Sequence, residues 1–204
     1  MGIVTNRRRV MGGNPLPYDS VVEYLESTGT QWIDTLFVPQ QDDVRFIIEC
    51  AVNGRSDNIF VGMARYGSND FAFNFYRLTS IYWWFGGRIG NFSASGLDHQ
   101  RLEVGVEIIY NGNLVTTVSP TSSFVGNTSR LALFGQANRA IPTDALYKAS
   151  GKIYSFSIYY GNQLQLDFIP VRVGQVGYMY DRVSGQLFGN AGTGAFVVGP
   201  DVNN

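Results

Sequence analysis

The sequence predicts an all-β fold: a two-sheet antiparallel sandwich over residues 18–204, preceded by a short extended N-terminal arm over residues 1–17. Three observations predict it. Aromatic residues make up 14% of the chain and charged residues only 15%, while 24 glycines and 7 prolines supply turns, a mixture that suits short strands better than helices. Short runs of alternating apolar and polar residues recur along the body, with turn residues about every ten positions. The clearest runs flank a single tight turn between Gly151 and Asn190. A chain of 204 residues is long enough for one sandwich with a full core and too short to divide comfortably into two.

Within Gly151–Asn190, Tyr154, Phe156, Ile158 and Tyr160 fall on one face of the first strand. Leu164, Leu166, Phe168 and Pro170 fall on one face of the second, with Gln163, Gln165 and Asp167 opposite. A two-residue loop at Gly161 and Asn162 would set Ile158 against Gln165, apolar against polar. A three-residue loop, Gly161 to Gln163, instead pairs Tyr160 with Leu164, Ile158 with Leu166 and Phe156 with Phe168. An odd-numbered, bulged loop is therefore expected.

The other elements follow in order. Val21–Leu25 and Gln31–Ile33 read as strands around a Ser27-Thr28-Gly29 turn. Val44, Phe46, Ile48, Cys50 and Val52 alternate with Arg45, Ile47, Glu49 and Ala51, so Cys50, the one cysteine, is expected as a core thiol. Asn58–Met63, Phe71–Tyr76, Ile81–Phe85 and Arg88–Phe92 continue the pattern. Arg101–Tyr110 reads as one strand with Leu102, Val104, Val106, Ile108 and Tyr110 on one face. Asn111-Gly112 then turns it back into Leu114–Val118, because both positions of a two-residue hairpin turn need positive φ. Arg130–Phe134 adds a strand, and residues 136–148 leave room for one helical turn at most.

Several function classes are disfavoured at once. A formal net charge of −1 gives no global field to recruit nucleic acid or an anionic membrane. No apolar run follows the basic cluster of the arm as in a secretory signal, and no segment is long enough to span a bilayer. One cysteine and one histidine, His99, exclude an internal disulfide and supply too few ligands for a zinc site. No metal or cofactor is expected. The arm itself, with Arg7, Arg8, Arg9, Val10 and Met11 ahead of Gly12, Gly13, Pro15 and Pro17, reads either as a solvated terminus or as a basic grip on a partner, reaching roughly 55 Å when extended.

The runs KIYSF, DFIPVR and GYMYDxVSGQLFGNAGTG, together with EYLESTGTQWIDT near the start, resemble a group of jelly-roll proteins encoded by phages and prophages of gut bacteria, described as concanavalin-like or laminin-G-like domains. These blocks bracket residues 21 to about 200. The resemblance implies a jelly roll; activity it implies poorly, since jelly rolls host lectins, glycanases and inert virion parts alike. One departure stands out: Leu36 occupies the position where that group commonly has Gly after Ile-Asp-Thr.

Jelly-roll glycanases typically carry an acidic triplet on one strand face, here Glu103, Gly105 and Glu107, with the central acid replaced. Along a regular strand the two glutamates stand roughly 13 Å apart, whereas retaining hydrolysis needs about 5–5.5 Å and inverting about 6.5–9.5 Å. Asp98 and His99 are adjacent in sequence, and no Gly-x-Ser-x-Gly elbow presents a serine. The glycine-rich Gly189–Gly194 lacks a P-loop Lys-Ser/Thr and precedes a strand, so it reads as a turn. No enzymatic activity is expected.

The most suggestive binding feature is Tyr82-Trp83-Trp84-Phe85. With Ile81, Trp83 and Phe85 in the core, Tyr82 and Trp84 form an outward aromatic platform, which Tyr66, Asp70 and Arg88, beside Asn69, are expected to complete as a glycan site. The same surface suits a subunit interface. The expected function is a non-enzymatic virion component: a head decoration, head fibre or tail subunit, anchored by its arm to other virion proteins and homo-oligomeric. The alternative is a carbohydrate-binding module. The expected location is the virion, or the bacterial cytoplasm for a prophage product.

Overall fold

The computed structural model describes residues 15–52, 58–63, 74–77, 81–93, 98–137 and 144–202, with backbone alone at 58 and 74–77. The strands, in chain order, are β1 (Ser20–Val21), β2 (Leu25–Thr28), β3 (Ile33–Asp34), β4 (Val44–Val52), β5 (Asn58–Met63), β6 (Asn74–Arg77), β7 (Ile81–Phe85), β8 (Arg88–Phe92), β9 (Gln100–Val104) and β10 (Glu107–Tyr110). They continue as β11 (Asn113–Thr117), β12 (Ala132–Leu133), β13 (Gln136–Ala137), β14 (Ala145–Leu146), β15 (Ser150–Tyr160), β16 (Gln163–Val173), β17 (Val176–Asp181), β18 (Gln186–Phe188) and β19 (Val197–Val198). The eleven-stranded sheet runs β11-β10-β9-β4-β15-β16-β17-β18, with β1, β2 and β19 attached. The eight-stranded sheet runs β14-β13-β5-β6-β7-β8, with β12 and β3 attached. Pairing is antiparallel except between β13 and β5.

The two sheets bury one core between them. In β4, Val44, Phe46, Ile48 and Cys50 are buried while Arg45, Ile47 and Glu49 are half-buried on the outer face. Phe46, Phe156 and Phe168 line up across the large sheet with ring centroids 5.9 and 6.2 Å apart. Phe60 and Phe134 meet at 6.3 Å, and Phe85 and Phe124 at 5.4 Å. Each fully buried ring contributes roughly 1.5–3 kcal/mol of transfer free energy.

The β15–β16 hairpin keeps the apolar register expected of it, Phe156 against Phe168 and Ile158 against Leu166, but by another route. The loop has two residues, Gly161 and Asn162, with positive φ at Gly161 alone. Tyr160 therefore pairs with Gln163 and Tyr159 with Leu164, and the odd residue is a bulge inside the strands at Ile158/Tyr159. A second bulge, between Ile153 and Ser155 against β4, removes Tyr154 from the core face of Phe156 and Ile158.

A larger correction concerns Arg101–Tyr110. It is a hairpin: β9 reverses at Gly105 and Val106, so that Ile108 pairs with Val104 and Tyr110 with Leu102. Val106, at the tip, is exposed. The Asn111-Gly112 turn forms as expected, with φ of 48° and 81°. Expected Val21–Leu25 divides into β1 and β2, Gln31–Ile33 gives way to Ile33–Asp34, and Arg130–Phe134 shortens to β12, which stops before Phe134, whose φ is 57°. Where one helical turn was allowed, the described residues of 136–148 hold β13 and β14.

The two blocks that carry the family resemblance meet in space. Residues 28–33 cross from β2 in the large sheet to β3 in the small one, and the loop 189–195 lies along that crossing. Ala191 N–H donates to the Trp32 carbonyl (2.8 Å), Thr193 N–H to the Thr30 carbonyl (3.2 Å) and Gln31 Nε2 to the Ala195 carbonyl (3.0 Å). Asn190 Oδ1 accepts from the amides of Trp32 (3.2 Å) and Gly192 (2.8 Å). β19 then returns to pair with β2. The glycine-rich segment, expected as a turn, is thus also a clasp along the crossing between the sheets.

Leu36 has φ of 58°, is 56% exposed, and donates its amide to Asp34 Oδ1 at 2.9 Å. A left-handed backbone costs a side-chain-bearing residue roughly 1–2 kcal/mol, and an exposed leucine recovers little of that by packing. Leu36→Gly is therefore expected to stabilise the protein by about 0.5–1 kcal/mol, read as a rise in the urea midpoint at unchanged slope. A lower midpoint would mean that the Leu36 side chain holds this turn.

Candidate binding surfaces

Two outer surfaces carry the aromatic and charged side chains. On the small sheet, β7 alternates as its sequence dictates: Ile81, Trp83 and Phe85 are buried, and Tyr82 and Trp84 are half-buried on the opposite face. The antiparallel register sets Ile89 opposite Trp84 and Asn91 opposite Tyr82 on β8, and Asn74 and Tyr76 opposite them on β6. Ile89 is exposed, so the outer face here is a strip of Tyr82, Trp84 and Ile89 edged by Asn91.

Arg88 does not join that strip. The two-residue turn at Gly86 and Gly87 makes it the cross-strand partner of core-facing Phe85, and its Nε donates to the Ser119 carbonyl at 3.0 Å. Cross-strand partners share a face, so Arg88 leaves on the side away from Tyr82 and Trp84. Tyr66 and Asp70, assigned to the same platform, lie outside the described residues, as do Arg7, Arg8, Arg9, Val10 and Met11 of the arm.

The outer face of the large sheet carries a network that the sequence does not announce. Strand order β9-β4-β15 brings His99, Glu49 and Tyr154 together. His99 Nε2 lies 3.0 Å from Glu49 Oε2, and its ring stacks on Tyr154 with centroids 4.1 Å apart and planes 7° from parallel. Tyr154 in turn meets Tyr24 edge to face at 5.7 Å, and Lys152 Nζ lies 4.0 Å from the centre of the Tyr24 ring. Burial pushes the Tyr154 phenol above its ordinary value, with Lys152 opposing, so the hydroxyl is protonated at neutral pH and is no base.

Farther along the same face, Glu103 sits between two guanidinium groups. Arg45 Nη1 donates to its Oε2 at 3.1 Å, and Arg101 Nη1 donates to its Oε1. Arg45 also lies over the Tyr159 ring, 4.5 Å from its centre. Both carboxylate oxygens of Glu103 are therefore engaged, Oε2 by Arg45 across to β4 and Oε1 by Arg101 within β9 itself. Glu107 stands on β10, after the chain has reversed, so the separation expected along one straight strand does not describe this pair.

Gly105 has a steric reason for being glycine. A Cβ there would stand 2.7 Å from Arg45 Cβ and 3.3 Å from the Val44 carbonyl oxygen, because the reversal presses against β4. A central acid at this position would force the two segments apart. Among the described residues, no group of three or more His, Cys, Asp and Glu side chains converges as a metal site, and no helix is long and apolar enough to cross a membrane.

No family model matches this chain, and no curated protein sequence matches it.

Proposed function

We propose that the protein is a non-enzymatic structural component of a phage virion, a head-decoration, head-fibre or tail subunit that presents a jelly-roll sandwich and is anchored to other virion proteins through its basic arm, Arg7 to Met11. The observation that carries this reading is the union of the two resembling blocks. Gln31, Trp32 and Asn190, from both blocks, hydrogen-bond into one clasp between the sheets, and the resemblance to the phage-encoded group implies a common way of closing a sandwich. Support also comes from Glu103, whose carboxylate is held by Arg45 and Arg101 where a glycanase would keep an acid available.

The test is size-exclusion chromatography with light scattering on the full-length protein and on a chain beginning at Pro17, each alone and co-expressed with capsid or tail proteins of a phage of gut bacteria. Incorporation by the full-length protein and its loss on truncation are expected. Failure of both forms to associate with any virion protein would end this reading.

A second reading, a carbohydrate-binding module, is favoured by one observation: Tyr82 and Trp84 are both half-exposed on a single face, with exposed Ile89 beside Trp84. Alternate residues of a strand stand about 6.6 Å apart, a spacing that lets neighbouring rings of an oligosaccharide stack on successive aromatics. On this reading Trp84→Ala lowers glycan affinity about tenfold or more in titration calorimetry, Tyr82→Ala less, and truncation to Pro17 leaves binding intact. An unchanged affinity in Trp84→Ala would remove the platform from consideration.

A further inference from the structure

The outer face of the large sheet is low at its centre. Register places Ser155 of β15 beside Glu49 of β4, Ser157 beside Ile47, and Tyr159 beside Arg45. On the other side of β15, Ser157 meets Asp167 of β16, and beyond β4 Ile47 meets Glu103 of β9. Cross-strand partners share a face, and all of these residues are half-buried. Two serines and an isoleucine, the short side chains of the group, thus form a floor among longer carboxylates, arginines and tyrosines. The bulge that turns Tyr154 outward sets it next to Ser155 and closes one end.

The rim of this recess is fixed by contacts among its own members. Glu103 is held by Arg45 and Arg101, Arg45 lies over the Tyr159 ring, and His99 joins Glu49 to Tyr154. Asp167 Oδ2 lies 2.8 Å from Arg182 Nε and 2.7 Å from its Nη2. Side chains held in this way have little rotamer freedom left to lose on binding. Inside the rim, polar capacity is unused: among the described residues the hydroxyls of Ser155 and Ser157 and Asp167 Oδ1 have no hydrogen-bond partner.

We propose that this recess binds one neutral sugar ring. The unused groups are two hydroxyls, which donate and accept, and a carboxylate oxygen, which accepts. A ligand that satisfies all three carries donors and acceptors at neighbouring positions, as the vicinal hydroxyls of a sugar do. Ser155 and Ser157 stand about 6.6 Å apart along β15, a separation that a single pyranose ring spans. Neutrality follows from the rim, where each carboxylate already faces an arginine: Glu49 faces Arg101, Glu103 faces Arg45 and Arg101, and Asp167 faces Arg182. A charged ligand would find no unmatched partner and would lose its own hydration. The inference goes beyond both functional readings, since it needs neither the arm nor Tyr82 and Trp84, which lie on the outer face of the other sheet.

The experiment is a titration of the 15N-labelled protein, followed by amide resonances, with glucose, galactose, mannose and N-acetylglucosamine to about 50 mM. Glucuronate and glucosamine serve as charged counterparts. At least one neutral sugar is expected to move the amides of Ile47, Ser155 and Ser157 saturably, with a Kd of about 1–10 mM, and the charged sugars to bind about tenfold more weakly or less. Ser157→Leu, which fills the floor from a solvent-facing position, weakens that sugar by about tenfold or more while circular dichroism stays as in the parent. The proposal is overturned if none of the four neutral sugars moves these amides, if the charged sugars bind as well, or if Ser157→Leu binds like the parent. A sugar that moved only amides around Tyr82 and Trp84 would overturn it too, and would support the platform on the small sheet instead. The titration of the parent needs no variant, so a Ser157→Leu chain that failed to fold would leave the question decided.

Discussion

Gly151→Ala is expected to lower the stability of the protein by about 3–5 kcal/mol, a large part of what a domain of this size possesses. Gly151 lies where β15 pairs with two strands at once, with Val52 of β4 on one side and Ser27 of β2 on the other. Its φ is 148°, which disfavours any side chain. A Cβ there would stand 2.4 Å from the Ala51 carbonyl oxygen and 2.7 Å from Phe60 Cζ. The first contact is with backbone in a paired strand, and the second is with a ring buried against Phe134, so neither yields cheaply. Strain and overpacking each contribute on the order of 1–3 kcal/mol. Gly112→Ala separates the two effects. Its φ is 81° and nothing lies within 4 Å of the added carbon, so it reports dihedral strain alone, about 1 kcal/mol. Urea denaturation of both variants reads the difference. If Gly151→Ala costs no more than Gly112→Ala, the close approach of β15 to Phe60 is wrong.

The alternation that made the sandwich legible also hid one of its reversals. In β4 and β7 the period-two pattern assigned every face, because a strand in the interior of a two-layer fold has one wet and one dry side. Around Arg101–Tyr110 the same period runs unbroken through a hairpin. Val104 pairs with Ile108 and Leu102 with Tyr110, so even-numbered residues face even-numbered ones and the core face stays in phase across the turn. Only Val106 betrays it, by being exposed at the tip. The β15–β16 hairpin shows the converse. Register followed from matching Phe156 to Phe168, but placing the odd residue in the loop or in a bulge leaves the Phe156–Phe168 and Ile158–Leu166 pairs alike and alters only the pairing of Leu164 next to the turn.

The candidate surfaces divide along the same line. Tyr82 and Trp84 are two residues apart on one strand, so their shared face follows from local geometry. The His99, Glu49 and Tyr154 cluster depends on strand order, and on a bulge that turns Tyr154 outward, neither of which a single sequence displays. Arg88 was misplaced because its face depends on the parity of the Gly86-Gly87 turn. The resembling blocks fared differently. The side chains of Gln31, Asn190 and Asp181 each engage backbone groups outside their own strand, and replacing one of them leaves those amides or carbonyls unpaired, whereas Trp32 joins through its own backbone. A motif of that kind marks a fold and says little about a ligand.

Asp181 gives the second large effect. It closes β17, its side chain is fully buried, and its oxygens accept three backbone amides. Oδ1 takes those of Asp167 (2.9 Å) and Val183 (3.1 Å), and Oδ2 takes that of Ser184 (3.1 Å). Its own carbonyl accepts from Gly185 at 2.8 Å, so one residue both builds the turn into β18 and ties that turn to β16. The link is reinforced from outside by Arg182, whose Nε donates to Asp167 Oδ2 at 2.8 Å. Asp181→Ala leaves three amides without their acceptor and is expected to cost about 3 kcal/mol, since a lost bond to a charged acceptor costs roughly 1.5–3 kcal/mol and the amides recover part of that by relaxing. Asp181→Asn keeps one oxygen for Asp167 and Val183 but turns an NH2 toward the Ser184 amide, so about half that cost is expected. Hydrogen exchange at Asp167, Val183 and Ser184 distinguishes the two variants: all three amides lose protection in Asp181→Ala, and Ser184 loses the most in Asp181→Asn. Equal destabilisation by the two substitutions would show that the buried charge, and not the count of satisfied amides, is what this turn requires.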